Sequence, residues 1–446
     1  MLEINGGKRI TGSVRTSGFK HSLVTSAAAA VAADADVVLG NCPDIVETDV
    51  LARIFTTLGG RAQFTEGTLV LNGSDIHHNV LPADLVSSIH GSLYLVPGLV
   101  ARLGAVHLPA SGGCSIGEGP KGRPVRHVLD VMERFGATGD VTADGGLEVR
   151  ATRLTGCEID LLDYTRNRAL MSGPLYAGAT KTALLTSAAA EGVTTLHHLY
   201  PKPDVVALID VLSELGTDMT QTGPETLVIR GNGARTLRRN AHYILPPDLI
   251  EVITWICAAV TLGEGPVHIT GPHLDRASAA LAPEFDVLRR MGVVTDHGTD
   301  MITAYPAERP LNAVEILAAS RSVFSDSQPF FALMAGHAEG STLISEAVWE
   351  HRYGYVPGLT ALGMDAVQDD YALRVDGVRT PHRAGQDLTA TDLRAAAVLL
   401  LAALAVPGRT VLRNTHHLDR GYRDIVGDLQ ALGADVTPVS TPVGVG

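Results

Sequence analysis

The chain has few cysteines and few aromatic residues. Its 446 residues include only four cysteines and two tryptophans, and aromatic residues make up 4%. The cysteines are widely spaced and form no CxxC motif, which argues against both a zinc site and a disulfide framework. With so few aromatic residues, the core is expected to be packed mainly with small and aliphatic side chains.

Long apolar runs and an excess of positive charge are also missing. The longest apolar stretches, such as residues 395–407, are too short to span a bilayer, and the first residues do not resemble a signal peptide. The formal net charge of -13 argues against a nucleic-acid binder, although a local cationic pocket can still bind an anionic substrate. We therefore expect a soluble cytoplasmic protein, a monomer or weak oligomer, with neither nucleic acid nor membrane as a partner.

One pattern recurs six times along the chain. A predicted amphipathic helix ends in a hydrophobic residue and a glycine, where a left-handed helix cap needs no Cβ, and two alternating strands follow. The glycines lie 70 to 80 residues apart and are Gly59, Gly136, Gly216, Gly292, Gly363 and Gly433. This spacing is too long for a solenoid of the familiar periods. The repeat therefore predicts two globular α/β domains of three units each.

The most unusual loop, residues 109–124, contains five glycines. Such a composition favours a lid that moves over a ligand. The loop also holds Cys114, which Lys121 and Arg123 would bias toward the thiolate. The three other cysteines, Cys42, Cys157 and Cys257, lack cationic neighbours in the sequence and are predicted to be unreactive.

Several polar residues near the C-terminus allow two interpretations. Arg394 is predicted to lie in the first turn of a helix capped by Thr391 or Asp392, where a cation opposes the helix dipole. That placement indicates either a ligand or a salt bridge, and the residues alone favour the salt bridge, as they do for Arg352. Asp326 stands beside serines, where an aspartate is most often a helix N-cap.

Two histidine pairs, His197–His198 and His416–His417, are poor chelates. Adjacent residues of a strand point to opposite faces. No metal site is predicted.

Eight motifs spread along the chain resemble those of the enolpyruvyl transferase family, and the resemblance covers essentially the whole sequence. They are SGxK at residues 17–20, LVARxG at 99–104, GGCxIG at 112–117, RPV at 123–125, GAT at 178–180, DxQ at 326–328, TDLRA at 391–395 and DRGY at 419–422. Within the family, they are most similar to the branch that acts on UDP-N-acetylglucosamine in peptidoglycan synthesis.

The resemblance implies a fold and a domain division. The fold would be a two-domain inside-out α/β barrel of six βαβαββ repeats, three in each domain. Residues 21–245 would form the domain with the Cys114 lid. Residues 1–20 and 246–446 would form the domain with Asp326, Arg352 and Arg394, and the active site would lie in the interdomain cleft.

The resemblance also implies a reaction. The enolpyruvyl group of phosphoenolpyruvate would pass to a hydroxyl through a tetrahedral ketal phosphate, with release of phosphate and without metal or other cofactor. Lys20, Arg123 and Arg394 would hold phosphoenolpyruvate. Cys114, the target of the family's epoxide inhibitor fosfomycin, would help to donate a proton or assist product release. Asp326 would take the proton of the acceptor hydroxyl.

Further residues are expected to bind substrate. Arg352 would support the anionic substrate or position Asp326, and Val125 belongs to the RPV motif. The helix start near Gly178 and Thr180 would face the phosphate of the acceptor through backbone N–H groups.

Three positions depart from the cell-wall branch. His21 replaces an asparagine, His90 replaces an arginine, and Arg126 replaces an aspartate. A few extra residues in the lid and an insertion around residues 163–168 are further differences. The changed positions cluster where the family holds the acceptor, and polar exchanges at such sites discriminate strongly between substrates.

We therefore expect the donor to be kept and the acceptor to differ. The favoured acceptor is a uridine nucleotide, UMP at its 3′-hydroxyl, as in the enolpyruvyl transferases of nikkomycin- and polyoxin-type nucleoside antibiotic pathways. The alternative is UDP-N-acetylglucosamine. A shikimate-pathway enzyme is disfavoured because the SSQ motif is absent near Gly178. An RNA 3′-phosphate cyclase or a non-catalytic paralogue are remote alternatives.

Overall fold

The computed structural model describes residues 1–112, 124–200, 202–233, 237–377 and 381–439. Among these, the strands are β1 (Leu2–Gly6), β2 (Ile10–Arg15), β3 (Asp36–Gly40), β4 (Arg61–Thr65), β5 (Thr68–Asn72), β6 (Ala105–Leu108), β7 (Thr138–Val141), β8 (Leu147–Arg150), β9 (Glu158–Asp160), β10 (Glu191–His197), β11 (Asp218–Gly223), β12 (Thr226–Asn232), β13 (Ala241–Ile244), β14 (Gly263–Thr270), β15 (Thr295–His297), β16 (Met301–Ala304), β17 (Leu311–Asn312), β18 (Glu315–Ala318), β19 (Ala338–Glu339), β20 (Ser341–Glu346), β21 (Asp365–Gln368), β22 (Ala372–Asp376), β23 (Asp387–Thr389), β24 (Gly408–Arg413) and β25 (Val436–Pro438).

The α-helices of the same residues are α1 (Lys20–Ala32), α2 (Val46–Thr57), α3 (Ala83–Val86), α4 (Leu95–Leu103), α5 (Arg126–Arg134), α6 (Tyr176–Ala189), α7 (Pro203–Glu214), α8 (Leu249–Leu262), α9 (Leu274–Ala280), α10 (Ala282–Met291), α11 (Gln328–Ala335), α12 (Val356–Ala361), α13 (Leu393–Ala405) and α14 (Ile425–Ala431). Short 3₁₀ helices cover Gly91–Tyr94, Leu161–Tyr164 and Thr415–Arg420. In the part of the chain that the structure describes, no helix has the length and apolar character that a membrane span needs.

Contacts divide the chain into two units. The terminal unit contains residues 1–17, 247–377 and 381–439, and the central unit contains residues 18–112, 124–200, 202–233 and 237–246. The chain thus leaves the terminal unit between Ser17 and Gly18 and returns between Pro246 and Pro247. Lys20 and His21, at the start of α1, therefore belong to the central unit.

The same sheet arrangement recurs six times in the described residues. An edge strand runs parallel to its neighbour, and two further strands continue the sheet in antiparallel fashion. The central unit has the orders β13-β3-β5-β4, β9-β10-β12-β11 and β6-β8-β7, the last with a parallel bridge from Val80 to His107 at its edge. The terminal unit has β2-β14-β16-β15, β18-β20-β22-β21 and β23-β24-β1-β25, as well as the small parallel pair β17-β19.

The first strand of the chain completes the last of these sheets. Strand β1 pairs antiparallel with β24, from Leu2 opposite Leu412 to Gly6 opposite Gly408, and on its other edge with β25. Its side chains alternate, and Leu2 and Ile4 point into the core. Strands near the two ends of the described residues are therefore held in one sheet.

Three largely buried helices form the interior of each unit. In the central unit these are α1, α4 and α6, and in the terminal unit they are α8, α11 and α13, and within each set the helices pack against one another. Every residue of α8 is buried, and most residues of the others are as well. A helix that is apolar or small on all sides belongs in a core, which accounts for the alanine-rich sequences of these elements.

The glycines of the sixfold repeat adopt the predicted conformation. All six follow a helix and have φ between 87° and 110°. A side chain at such a backbone angle is strained, whereas glycine is not. The prediction of a left-handed cap at each repeat is confirmed, and the structure is a mixed α/β fold.

Candidate active site

Three charged residues of the terminal unit form an acid–guanidinium cluster, consisting of Asp326, Arg352 and Arg394. One carboxylate oxygen of Asp326 accepts a hydrogen bond from Nη2 of Arg352, and the other lies 3.4 Å from Nη2 of Arg394. Both arginine side chains are buried, while the Asp326 side chain is 18% exposed. The Asp326 carboxylate is thus the most exposed part of the cluster.

On the side away from Asp326, Arg352 is bound by Ser325, which in turn is bound by the carboxylate of Glu346. Its Nη1 donates to Oγ of Ser325 at 3.1 Å, and the Ser325 hydroxyl donates to Oε2 of Glu346 at 2.7 Å. The other oxygen of Glu346 accepts the backbone N–H groups of residues 348 and 349. Burial lowers the pKa of Arg352, but the charges of Asp326 and Glu346 outweigh it and raise the pKa above its usual value.

Arg394 extends from the first turn of α13. Asp392 caps this helix, because its Oδ1 accepts the N–H groups of Arg394 at 2.8 Å and Ala395 at 3.1 Å. The guanidinium also lies 3.5 Å from Oη of Tyr422, which is 2.8 Å from Oγ1 of Thr254 on α8. Burial opposes the charge of Arg394, but Asp326 and Tyr422 raise its pKa, so Arg394 stays cationic.

The structure shows how the polar residues near the C-terminus are paired. The predicted salt bridge of Arg394 is present and joins it to Asp326, while Asp392 caps the helix. The expectation that Asp326 is an N-cap is wrong. Ser327 occupies that position before α11, without a side-chain cap. Asp326 is turned to the two arginines because two buried cations require a nearby carboxylate.

Two further carboxyl groups, those of Asp248 and Glu251, lie at the start of α8. Asp248 caps α8, and Oε2 of Glu251 accepts the backbone N–H of Ser17 at 2.7 Å. The backbone N–H of Asp248 donates to the Ser17 carbonyl oxygen at 2.7 Å. Burial, together with the charge of Asp248, raises the pKa of Glu251 to about 8. Glu251 is therefore protonated at neutral pH.

The raised pKa of Glu251 predicts a pH effect on stability. The folded protein keeps the Glu251 proton, whereas the unfolded chain releases it above about pH 4.5. The free energy of unfolding therefore falls as the pH rises from about 4.5 to about 8. We expect Glu251→Gln and the wild type to have similar thermal midpoints at pH 5. Between pH 5 and pH 8, the midpoint of Glu251→Gln should exceed that of the wild type by a growing margin. The control is Glu3→Gln, at a half-buried residue that pairs with Arg409. A gap that is the same at both pH values would contradict the prediction.

The central unit contributes Lys20 and His21 from the first turn of α1. Nζ of Lys20 lies 3.7 Å from Oε1 of Glu47 in the first turn of α2, and Glu47 is buried. The imidazole of His21 stacks on the ring of Phe19, with centroids 5.1 Å apart and an angle of 17° between the planes. A cation and an aromatic-backed imidazole thus stand side by side at a helix N-terminus.

The structure also shows an ion pair that the sequence reasoning missed. Lys181 of α6 contacts the carboxylate of Asp204 at the start of α7, and both side chains are buried. Nζ of Lys181 lies 5.3 Å from the ring centroid of Tyr94. One signal was available, since Lys181 is the only charged residue in the sequence of α6, and a buried lysine needs a counter-charge.

The remaining predicted acceptor residues also lie in the central unit. His90 is half-buried and precedes the 3₁₀ helix Gly91–Tyr94, which packs on α1. Val125 is buried and precedes α5. Helix α6 begins at Tyr176, two residues before Gly178.

Gly178 and Thr180 of the GAT motif both face the interior of the central unit. A side chain at Gly178 would collide with the imidazole of His127, and the hydroxyl of Thr180 donates to the Tyr176 carbonyl oxygen at 3.0 Å. Arg126, the third departure from the cell-wall branch, is held on the surface of α5 by Asp130 and Glu133.

Two predicted site residues, Cys114 and Arg123, lie outside the described residues. The other cysteines are free thiols, and burial raises the pKa of Cys42 to about 12 and that of Cys157 to about 11. Cys257 is buried in α8, which raises its pKa as well. The raised pKa values keep these thiols protonated at neutral pH.

The histidine pairs have separate partners. His197 contacts Glu158 at 2.9 Å, and His198 contacts Asp160 at 2.8 Å. His416 and His417 lie in a 3₁₀ helix, and the assumption that they belong to a strand is wrong because Asn414 turns the chain with φ of 58°. Within the described ranges, no group of three or more potential ligands is arranged to hold a metal ion.

Two motif residues prove to be structural. Gly18 of the SGxK motif lies against the backbone of Asn41, and any Cβ there would collide with the Asn41 carbonyl oxygen. Arg102 of the LVARxG motif donates to the carbonyl oxygens of Val31 and Ala33, both at 2.9 Å. It therefore caps the C-terminus of α1, where a cation is favourable.

Comparison with known proteins gives the family. The sequence model of EPSP synthase (3-phosphoshikimate 1-carboxyvinyltransferase) matches residues 4–429. UDP-N-acetylglucosamine 1-carboxyvinyltransferase of Sulfurovum sp. (strain NBC37-1) is 32% identical over 438 residues, which cover 98% of each chain. The chain belongs to this family of enolpyruvyl transferases.

Solved structures of enolpyruvyl transferases agree with this assignment. The enolpyruvyl transferase NikO from Streptomyces tendae is 58% identical, with a TM-score of 0.94 over 98% of both chains. An EPSP synthase from Acinetobacter baumannii is 17% identical, with a TM-score of 0.73 over 98% of this chain and 100% of that one, and shares the fold. As a member of the family, the chain is a transferase of alkyl groups, specifically of the carboxyvinyl type.

Proposed function

We propose that the chain transfers the enolpyruvyl group of phosphoenolpyruvate to the 3′-hydroxyl of UMP and releases phosphate. The observation that carries this proposal is the 58% identity to NikO over nearly the whole chain. Identity to relatives that act on UDP-N-acetylglucosamine is lower, at 32%. Together with the departures at His21 and His90, this difference supports a nucleotide acceptor within nucleoside antibiotic biosynthesis.

The proposal extends to the architecture. We take the fold to be the two-domain inside-out α/β barrel of six βαβαββ repeats, with three repeats in the central unit and three in the terminal unit. The recurrence of one sheet arrangement in both units supports this reading. The acid–guanidinium cluster and the start of α1 would then serve one reaction.

The donor is a trianion at its most ionised and requires cations. Lys20, Arg394 and Arg123 would hold its phosphate and carboxylate groups. Arg394 suits this role because its guanidinium is buried and fixed by Asp326 and Tyr422, so little rotamer freedom remains to be lost when it binds an oxyanion. Arg352 would complete the positive field beside it.

The acceptor needs a base. Two guanidinium groups stabilise the ionised carboxylate of Asp326, and its partial exposure lets a hydroxyl approach. Asp326 would take the hydroxyl proton as the acceptor oxygen bonds to C2 of phosphoenolpyruvate, while C3 receives a proton. The resulting ketal phosphate would then lose phosphate from C2 and a proton from C3, which restores the double bond.

The remaining roles follow from the resemblance. Cys114 would supply or relay the proton for C3 from the lid, or assist product release. His21 and His90 would contact the nucleotide, with Val125, Gly178 and Thr180 shaping its site. The segment that follows His90 packs on α1, which carries His21, so the two histidines belong to one packed region of the central unit.

The test is release of phosphate. The purified protein is incubated with phosphoenolpyruvate and one of UMP, UDP, UDP-N-acetylglucosamine or shikimate 3-phosphate, and phosphate is measured over time. We expect release with UMP and a product carrying the enolpyruvyl ether at the 3′-oxygen. Release with UDP-N-acetylglucosamine but not with UMP would refute the acceptor, and release with none of them would refute the function.

Replacement of Lys20 tests the donor site. We expect Lys20→Met to raise the KM for phosphoenolpyruvate by about 10- to 100-fold, because a charge-assisted hydrogen bond contributes about 1.5–3 kcal/mol. The KM for the acceptor should change little. Lys8→Met is the matched control, since Lys8 is exposed and pairs with Asp435. An unchanged KM for phosphoenolpyruvate in Lys20→Met would place the donor elsewhere.

A further inference from the structure

Two buried residues, Ser325 and Glu346, have no part in the reaction as proposed above, yet hydrogen bonds connect them to the proposed base. Ser325 is 8% exposed and Glu346 is 2% exposed, so neither is placed to contact a substrate directly. Ser325 accepts from Arg352 at 3.1 Å, and Arg352 donates to Asp326. A chain of contacts thus leads from Glu346 through Ser325 and Arg352 to the base.

The hydrogen bonds of this chain run in one direction. A hydroxyl has a single proton, and Ser325 donates it to Oε2 of Glu346 at 2.7 Å. The Ser325 oxygen can then accept from Nη1 of Arg352, while Nη2 of the same guanidinium donates to Asp326. Because the guanidinium is planar and bonded through both terminal nitrogens, it cannot turn without losing one of these bonds.

Glu346 also fixes the backbone that carries Arg352. It is the last residue of β20, and its Oε1 accepts the N–H groups of Val348 at 2.8 Å and Trp349 at 3.2 Å. Among the described residues, every hydrogen bond of the Glu346 side chain is one that it accepts, which is the pattern of an ionised carboxylate. One buried carboxylate therefore joins the end of the strand, the loop that follows it and the Arg352 side chain.

The charge of Glu346 matters for Asp326 as well. Asp326 faces the guanidinium groups of Arg352 and Arg394. An opposite charge favours the ionised form of a carboxylate, so two cations without a further anion would make Asp326 a weaker base. Arg352 interacts electrostatically with both carboxylates. The negative charge of Glu346 therefore offsets part of the positive field at Asp326.

We propose that Ser325 and Glu346 are positioning residues that act on Asp326 through Arg352. Ser325 fixes the orientation in which the guanidinium meets the Asp326 carboxylate, and Glu346 limits how strongly that carboxylate is held in its ionised form. The inference rests on the proposed function, in which Asp326 takes the proton of the acceptor hydroxyl. A purely structural role of Glu346, the binding of two backbone N–H groups, would require neither Ser325 nor Arg352.

The first test needs no substrate. Protein labelled with ¹⁵N in its arginine side chains is studied by NMR, and the Arg352 signals are assigned by their absence from Arg352→Lys. We expect separate signals for the two terminal nitrogens in the wild type, where rotation is hindered, and one averaged signal in Ser325→Ala. Ser325→Thr keeps the hydroxyl and should keep the separate signals. Arg352 signals in Ser325→Ala that match those of the wild type would overturn the proposal.

A double-mutant cycle gives the kinetic test. We expect Ser325→Ala and Glu346→Gln each to lower kcat for phosphate release by about 10-fold or more, because a misplacement of about 1 Å in a reacting group costs up to about 10²-fold. In an Asp326→Asn background, the same replacements should lower kcat by less than about twofold, because the group on which they act is absent. Equal losses in both backgrounds would show that they act independently of Asp326 and would refute the proposal.

Ser345→Ala is the matched control. Ser345 precedes Glu346 in β20, and successive side chains of a strand point to opposite faces, so its hydroxyl lies on the other face of the strand. We expect wild-type kcat and wild-type Arg352 signals. If the wild type releases no phosphate with any nucleotide, the proposed function fails, and the NMR result still decides whether Ser325 fixes Arg352. If the enzyme is active and Ser325→Ala changes neither kcat nor the Arg352 signals, only the present inference fails.

Discussion

Asp326→Asn is expected to lower kcat for phosphate release by about 10²- to 10⁴-fold, the usual contribution of a positioned general base. Asparagine has nearly the same shape as aspartate, and its amide oxygen can still accept from one arginine. It cannot take a proton from the acceptor hydroxyl at neutral pH. The loss should therefore fall on kcat, and the KM for phosphoenolpyruvate should stay the same or fall.

The expected fall in the KM for phosphoenolpyruvate has an electrostatic cause. In the structure, the Asp326 carboxylate neutralises part of the charge of Arg352 and Arg394. Without that carboxylate, the positive charges of Arg352 and Arg394 are less neutralised, so they attract an anionic ligand such as phosphoenolpyruvate more strongly. The same imbalance should lower the thermal midpoint of the free protein, since an unpaired buried charge is costly. Added phosphoenolpyruvate should raise the thermal midpoint of the variant again and recover part of the loss.

The matched control is Asp387→Asn. Asp387 also pairs with an arginine of the terminal unit, and both of its oxygens lie 2.7 Å from the guanidinium of Arg413, but the pair is exposed. Exposed pairs contribute about 0–1 kcal/mol, and this one is not part of the cluster. We expect wild-type kinetics. If Asp326→Asn is folded and retains more than about a tenth of the wild-type kcat, another group is the base.

The sequence predicted the features that local chemistry controls. The six glycines could be predicted because a left-handed backbone conformation favours glycine at that position. Asp392 could be predicted as a cap because an N-cap side chain bonds to N–H groups only two and three residues further on. Asp326 was misread for the same reason. Its serine neighbours suggest a cap, whereas its partners Arg352 and Arg394 lie 26 and 68 residues away.

The ion pair between Lys181 and Asp204 is not predicted from the sequence for the same reason, because it depends on contacts between distant residues. Lys181 and Asp204 are separated along the chain, and only the packing of α6 on α7 brings them together. A buried charge can be suspected from its apolar neighbours, but its partner is set by tertiary structure. The Ser17 contact of Glu251 likewise joins residues 234 apart in sequence. Tertiary contacts of this kind are therefore what a single sequence predicts least well.

The second large effect is expected at the acceptor. His21→Asn introduces the residue of the cell-wall branch and should lower kcat/KM for UMP by about 10²-fold or more, because a polar group matched to a substrate is lost. Lys20 remains beside it, so the KM for phosphoenolpyruvate should not change. Adding His90→Arg should lower kcat/KM for UMP further, but the effects should not simply add, since the His90 segment packs on α1.

His78→Asn is the control, because His78 is an exposed histidine of the same unit. It should match the wild type with every acceptor. A His21→Asn variant with wild-type kcat/KM for UMP would show that the imidazole does not contact the nucleotide.

The decisive quantity is the ratio of kcat/KM for UMP to that for UDP-N-acetylglucosamine. A specificity residue changes this ratio, because specificity is a difference between two transition-state free energies. We expect the ratio to fall in His21→Asn and to fall further in the double variant. A residue that acts on the step common to both acceptors lowers both values of kcat/KM and leaves their ratio unchanged. An unchanged ratio with a large loss of activity would therefore assign His21 to the phosphoenolpyruvate chemistry shared with Lys20, and the choice of acceptor would have to be sought in other residues.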